Sequence, residues 1–363
     1  MRRRNIQLEQ IERVVVRGVN WVGDAVMTIP ALRRLRRVLP HAHITLATRA
    51  WAEGLFADAD FLDELLIYNR RPRDLRAVTR QVREWRRRSF DLALLFQNAF
   101  EAALIAAAAR VPVRMGYATE GRRALLTHPL SIPHWRGERS EVFYYLNIIA
   151  ELEVLLYGDN VAADEHEPQL ALNISEQRRE RASEFLSSHG VRVGSPLVAL
   201  CPGSTNSRAK RWPAERYAAL ADRFVEETGA NVLLIGSPDE IDVSLEVEKT
   251  MRYKPFVLTG KTDLAEVTGV LSLVDILITN DTGPAHIAAA LNRPTLVIFG
   301  PTDPRTTQPF SNAAEIIRRP PDCAPCMLRD CPIDHRCMTA ISAAEVFERA
   351  SLMMKRNLAE AHQ

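Results

Sequence analysis

Lysine is missing from the first 150 residues of this 363-residue chain, which hold 25 arginines and 15 acidic residues, a balance of +10. The rest of the chain holds 22 basic and 30 acidic residues, a balance of −8, and the overall charge of +2 hides the division. A basic half suits nucleic acid, an anionic membrane surface or an anionic substrate, and the count does not choose among them. Long apolar runs are also missing. Arg13 and Arg17 bracket only Val14-Val15-Val16, too short for a secretory signal. The stretch 90–109 is broken by Asp91, Gln97, Asn98 and Glu101, whereas a spanning helix needs about 20 nearly uninterrupted apolar residues. A cytoplasmic protein is expected, one that touches a membrane at most peripherally. Cysteine is scarce: there are five, and four of them (Cys323, Cys326, Cys331, Cys337) fall within 15 residues. In a reducing compartment such a cluster points to metal or free thiols before disulfides. No tandem repeat or low-complexity tract is present.

What is present is ordinary globular material, 47% hydrophobic and 25% charged, in a length that favours two domains. Short β-branched runs at 13–17, 42–47, 91–96, 197–201, 231–235, 275–279 and 295–299 are separated by helix-length amphipathic stretches. That alternation predicts parallel α/β sheets. The polar, acidic stretch 158–175 parts two such series, placing the boundary near 170–195 and the domains at 1–180 and 181–363. Pro213 suits a first helical turn, and Tyr217, Leu220, Ala221 and Phe224 recur at helical spacing before Gly229, a helix-ending glycine.

Chemistry-bearing residues gather in loops that follow strands, the edge at which wound sheets bind ligands. Gly18-Val19-Asn20-Trp21-Val22-Gly23-Asp24 leads into a helix over 25–38. Asp24 there is either a helix cap or a base whose ionised form the helix dipole favours. This loop does not fit G-x-G-x-x-G, so a nicotinamide fingerprint is not supported. The loop 202–213 carries Ser204, Thr205, Ser207, Arg208, Lys210 and Arg211 ahead of a helix, the composition of an anion site or of a solvated basic loop. Its spacing is not that of a P-loop. Asn280-Asp281-Thr282-Gly283-Pro284 offers a second set of polar groups, and His286, one turn into the next helix, reads first as a packing residue. Gly236-Ser237-Pro238-Asp239-Glu240 carries acids suited to ribose hydroxyls or simply to the surface.

Asn20–Asp24 (NWVGD), Phe96–Phe100 (FQNAF), Arg114–Tyr117 (RMGY), Cys201–Pro213 (CPGS…AKRWP) and Asn280–Pro294 (NDTGPAHIAAALNRP), in that order, resemble glycosyltransferase family 9 in its lipopolysaccharide heptosyltransferase II branch. The resemblance spans about Val14 to Ala344. It implies a GT-B architecture, two Rossmann-like domains with a central cleft, the first binding the acceptor and the second a nucleotide sugar. It implies inverting transfer of heptose from ADP-L-glycero-D-manno-heptose to the inner-core heptose of lipopolysaccharide. Asp24 would be the general base. Lys210, with Ser204 and Thr205, would hold the diphosphate; Asp281, Thr282 and Gly283 would complete the donor site, and Glu240 would contact the ribose. Asn20, Trp21, Asn98 and Arg114 fall to the acceptor side. The implied partners are ADP-heptose, the anionic lipid A–core acceptor and, peripherally, the cytoplasmic face of the inner membrane, with no nucleic acid.

The arginines at 33, 34, 36, 37 and 86–88 are either an acceptor-facing basic surface or merely solvated. Other readings are a family 9 transferase with a different acceptor, a GT-B nucleotide-sugar epimerase, or a carbohydrate- or nucleotide-binding protein without turnover. Catalysis of this kind requires no cofactor. The four cysteines, spaced C-x₂-C-x₄-C-x₅-C with His335 nearby, have enough thiolates for a structural zinc but not the pair-of-pairs spacing of a zinc knuckle. Free or disulfide-bonded cysteines and an iron–sulfur cluster stand as alternatives.

Overall fold

The computed structural model describes residues 11–69, 74–158, 168–192 and 194–361. Strands β1 (Arg13–Arg17), β2 (His43–Thr48), β3 (Glu64–Ile67), β4 (Leu92–Leu95), β5 (Val113–Tyr117) and β6 (His128–Leu130) form a sheet in the order β3-β2-β1-β4-β5-β6. Strands β7 (Leu197–Cys201), β8 (Asn231–Leu234), β9 (Phe256–Val257), β10 (Ile276–Asn280), β11 (Thr295–Phe299) and β12 (Ala314–Arg318) form a second, in the order β12-β11-β10-β7-β8-β9. Every pairing is parallel. Counted from its own first strand, each sheet has the order 3-2-1-4-5-6. The winding therefore reverses between β1 and β4 in one sheet and between β7 and β10 in the other.

Such a reversal has a consequence for binding. The connections leaving the two central strands run to opposite sides, and a crevice opens at the carboxyl edge between them. Four of the five sequence motifs lie at these edges, after β1, β4, β7 and β10. The central strands are rigid supports: β4, β7, β10 and β11 are buried along their whole length. Their continuous Val, Leu and Ile runs reflect sheets covered by helices on both faces. In the first unit Val15, Ala93 and Leu95 pack with Trp85, Phe90 and Ile105. In the second, Val198, Leu200, Ile276 and Ile278 pack with Tyr217, Phe224, Met338 and Phe347.

Local signals account for helix ends. Gly229 follows helix Ala214–Thr228 at φ +65°, the left-handed ending that glycine adopts without strain. The expected single helix over 25–38 is two, Val22–Met27 and Ile29–Val38, joined at Thr28. Pro30 lacks the N–H that would continue the first helix's hydrogen bonding.

The chain divides between Leu170 and Ala171, ahead of the expected boundary at 180. Helix Glu176–Ser188 belongs wholly to the second unit, where Arg178 donates to the Ala265 carbonyl at 3.1 Å. Most of the arginines at 33, 34, 36, 37 and 86–88, read as either acceptor-facing or solvated, are in ion pairs of the first unit. Arg33 pairs with Asp60 at 3.0 Å, Arg34 with Glu153 at 2.6 Å, and Arg36 with Asp63. Arg87 pairs with Glu84 at 2.9 Å and Arg88 with both Glu64 and Glu84, while Arg86 donates to the Ala108 carbonyl. Among the described residues no helix is long and apolar enough to cross a membrane.

Candidate functional site

In the first unit the loop after β1 passes close beneath β2. Gly18 N–H donates to the Ala47 carbonyl at 2.9 Å, and a Cβ at Gly18 would meet Thr48 and Leu46 side chains at 3.2–3.3 Å. Asn20 and Trp21 are exposed at the sheet's carboxyl edge, Trp21 to 58%. Asp24 is the third residue of helix Val22–Met27; the cap residue is Trp21, which makes no side-chain cap. Asp24 therefore occupies the first turn, where aligned peptide dipoles favour a carboxylate. Burial, and next the Asp24 charge, raise the pKa of nearby Tyr145 well above the ordinary tyrosine range, so Tyr145 stays a neutral phenol.

The loop after β4 is held by Arg122, whose side chain is fully buried. Its guanidinium donates to the Tyr117 carbonyl at 2.7 Å, to Asn98 Oδ1 at 2.9 Å and to the Gln97 carbonyl. Burial pulls its pKa down to about 10. Asn98 Nδ2 donates onward to the Tyr144 hydroxyl at 2.9 Å, and Tyr144 stacks on Tyr117 with ring centres 4.0 Å apart. The Asn98 amide is thus engaged at both ends in supporting the loop. Arg114, expected on the acceptor side, sits near the start of β5, away from the carboxyl edge. Its guanidinium donates to the Val111 and Leu125 carbonyls at 2.6 and 2.7 Å, which makes it a brace of that end of the sheet. Within the same motif Gly116 is the residue the site needs: a Cβ there would lie 3.1 Å from the Leu95 carbonyl and 3.3 Å from Arg122.

In the second unit Asn280 binds the two central loops together. Fully buried at the end of β10, it donates to the Pro202 and Gly203 carbonyls at 2.8 and 3.0 Å and accepts from Trp212 N–H and the Tyr217 hydroxyl at 3.0 and 3.1 Å. All four hydrogen-bonding positions of its amide are filled. Next to it Lys210 Nζ donates to Asp281 Oδ2 at 2.8 Å and to the Asp281 carbonyl at 3.3 Å, and the Thr302 hydroxyl donates to the same carboxylate at 2.7 Å. Lys210 keeps a quarter of its side chain exposed while Asp281 is buried. Thr282 is the cap residue of helix Gly283–Ala290 and makes no side-chain cap; its hydroxyl instead meets that of Thr279 at 3.0 Å.

His286 is buried one turn into that helix, and its Nδ1 has no partner among the described residues. Burial, reinforced by the Lys210 charge and opposed by Asp281, lowers its pKa to about 4. A neutral imidazole packed in the core agrees with its reading as a packing residue.

Glu240 is buried against Gly203, where a Cβ would stand 2.4 Å from its carboxyl group. Its Oε2 accepts from Ser237 N–H and hydroxyl at 2.7 and 2.9 Å, closing a capping box. Thr205, exposed, approaches the Ser237 hydroxyl at 3.4 Å, and Ser204 is buried. Burial, and next the Glu240 charge, push the Cys201 thiol up to about 12, which keeps it protonated.

The cysteine-rich segment buttresses the Lys210 loop. Ser207 donates to the Leu328 and Arg329 carbonyls at 3.3 and 3.2 Å, and Ala209 N–H to the Arg329 carbonyl at 2.9 Å. His335 Nε2 lies 2.6 Å from the Ala209 carbonyl. Among the described residues no group of three or more His, Cys, Asp or Glu is placed to hold a metal ion, while Cys331, Cys326 and Cys323 all lie near enough to Cys337 to add to the upward push that burial gives its thiol pKa. Cys337 is turned into the hydrophobic core beside Met338, and Cys323, Cys326, Cys331 and Cys337 are free thiols.

Sequence reasoning missed Asn280, Thr302 and Arg122. Asn280 stood inside a quoted motif with no role given to it. Thr302 and Arg122 carry no local signal for these roles, since Thr302 reaches Asp281 from 21 positions away and Arg122 reaches Asn98 from 24.

The sequence model of the family described as Glycosyltransferase family 9 (heptosyltransferase) matches residues 78–336. The lipopolysaccharide heptosyltransferase 2 of Salmonella typhimurium is 29% identical over 319 residues, covering 84% of this chain and 88% of its own. A glycosyl transferase family 9 structure from Veillonella parvula superposes with a TM-score of 0.84 at 25% identity over 97% of this chain and 98% of its own. The E. coli ADP-heptose lipopolysaccharide heptosyltransferase II matches in fold, with a TM-score of 0.81 at 24% identity over 95% and 99% of the two chains. These likenesses bear out the α/β, GT-B fold class.

Proposed function

The chain belongs to glycosyltransferase family 9, and from that premise we propose that it moves heptose from ADP-heptose to the inner-core heptose of a lipid A–core acceptor, with inversion. The relatives named heptosyltransferase 2, with coverage near nine-tenths of their length, support the donor and acceptor classes. The observation that carries the mechanism is the placement of an acid and a cation at the two sheet reversals: Asp24 after β1 and Lys210 after β7.

An attacking hydroxyl must lose its proton as it bonds to the anomeric carbon. Asp24, in a helix first turn whose dipoles favour a carboxylate, takes that proton, and general-base help of this kind contributes about 10²–10⁴-fold. Departing ADP gathers negative charge on its diphosphate. Lys210 and the N–H groups around Gly283, at the start of helix Gly283–Ala290, stabilise it, a fixed electrostatic environment that serves the leaving group without calling on a metal or cofactor. Asp281 orients the Lys210 ammonium, and Thr302 and Asn280 fix Asp281 and the loop. Asn20 and Trp21 offer the acceptor an amide and an aromatic face, and Glu240 lines the nucleotide side. Because the acceptor is lipid-borne, the enzyme works peripherally at an anionic membrane.

Mass spectrometry of acceptor lipid incubated with ADP-heptose, against other nucleotide sugars, tests this. One added heptose with acceptor-dependent ADP release supports it. Donor conversion without acceptor marks an epimerase, and donor binding without turnover marks a binding protein; either overturns it.

A further inference from the structure

We propose that one face of helix Leu75–Arg88 is a docking surface for an anionic lipid bilayer; this rests on the lipid-acceptor reading above. Arg76, Arg80, Arg83 and Arg87 recur at i, i+4, i+7 and i+11, which puts all four on one side of the helix, and all are exposed. The opposite side fastens the helix to the first unit through buried Ala77, Gln81 and Trp85. The row is therefore presented on a rigid support.

Its arginines differ from the others in this basic half. Arg33, Arg34, Arg36 and Arg88 are neutralised by carboxylates of the same unit. Arg76, Arg80 and Arg83 make no ion pair or hydrogen bond among the described residues, and Glu84, at the edge of the row, is engaged by Arg87 and Arg88. A groove lined by Leu75, Thr79 and the four arginines of the row, together with Glu84, follows this face. Three guanidinium groups on one side of a helix, without counter-ions, match a plane of lipid phosphates, each able to take a phosphate through paired N–H groups. Their methylene stems lie at headgroup depth while the charges reach phosphate.

Leu75 selects the bilayer over nucleic acid. It begins the helix beside Arg76 with 78% of its surface exposed, an apolar element that enters a headgroup layer and has no use against a phosphate backbone. A basic row with an apolar anchor would hold the enzyme at the surface that carries its acceptor.

The test is sedimentation of the full chain with phosphatidylcholine vesicles, with and without phosphatidylglycerol, for the parent and the variant R76Q/R80Q/R83Q. Each basic residue at an anionic surface contributes about fivefold to partition, so the variant should bind phosphatidylglycerol vesicles about a hundredfold more weakly. Added salt should release the parent in the same way. Transfer to a deacylated, water-soluble acceptor should proceed at the parental rate in the variant. Absence of phosphatidylglycerol-dependent binding, equal binding by parent and variant, or displacement of the parent from vesicles by equimolar RNA overturns the proposal. So does a variant that loses transfer to the soluble acceptor, since the row would then belong to acceptor recognition. A parent that binds vesicles but transfers nothing to the soluble acceptor counts against the proposed reaction and leaves the docking surface standing.

Discussion

Lys210 Nζ lies 2.8 Å from Asp281 Oδ2, an ion pair between the loops that leave β7 and β10 where the second sheet reverses its winding. The pair joins a cation that is a quarter exposed to a buried carboxylate, so the two residues answer differently to mutation.

Lys210→Ala should weaken ADP binding by about 1.5–3 kcal/mol, the range for hydrogen bonds to charged groups. It also strands Asp281, buried with only Thr302 donating to its side chain among the contacts above, and should lower the thermal midpoint. Adding Asp281→Asn should recover stability but not affinity. Calorimetry with ADP and thermal unfolding of the single and double variants separate the two effects, and an unchanged ADP affinity in Lys210→Ala would remove it from the diphosphate site.

Asp24→Asn keeps shape and hydrogen-bonding reach but cannot accept a proton. Turnover should fall by roughly two to four orders of magnitude with ADP affinity nearly unchanged. Steady-state kinetics beside calorimetry decides it: near-parental turnover rules Asp24 out as the base.

Asn280→Ala deletes an amide that fills four hydrogen bonds inside the second unit. Stranding the Pro202 and Gly203 carbonyls and the Trp212 N–H in a buried site should cost about 3–5 kcal/mol. At roughly 2–4 °C per kcal/mol for a unit of this size, the unfolding midpoint should drop by roughly 10 °C. A drop of only a degree or two would show that the loops are held by other contacts.

His286 gives the protein a pH dependence of known sign. Its pKa is about 4 in the folded chain against an ordinary 6.5, so the unfolded chain takes up the proton first. The stability tied to the neutral imidazole is complete above about pH 6.5 and is lost as pH falls toward 4, up to about 3 kcal/mol. Urea unfolding at pH 7 and pH 5 should show this loss in the parent and a smaller one in His286→Gln. Parallel pH profiles for the two proteins would mean that the histidine is not the group responsible.

Much of this protein could be read from local sequence. Central strands are continuous Val, Leu and Ile runs because both faces of a parallel sheet are covered, so β1, β4, β7, β10 and β11 are visible without any structure. The strands β3, β5, β6, β9 and β12 are not, since runs such as Glu64–Ile67, His128–Leu130 and Phe256–Val257 are short and only partly buried. The motifs were legible as well, because small residues and charges after a strand mark a loop that must bend and bind.

Tertiary structure decided what those residues do. It put Arg114 near the start of its strand, bound to the Val111 and Leu125 carbonyls, and gave the loop after β4 to Arg122, which bonds Asn98 from 24 positions away. It paired Lys210 with Asp281, 71 positions away, and turned Cys337 into the core, so that the cysteine segment braces a loop. It also separated the arginines held by carboxylates from the row at Arg76, Arg80 and Arg83, although all look alike in the sequence. The physical reason is the same in each case. Periodicity and turn chemistry act over a few residues, whereas burial, ion pairing and hydrogen-bond satisfaction are set by whatever the fold brings alongside.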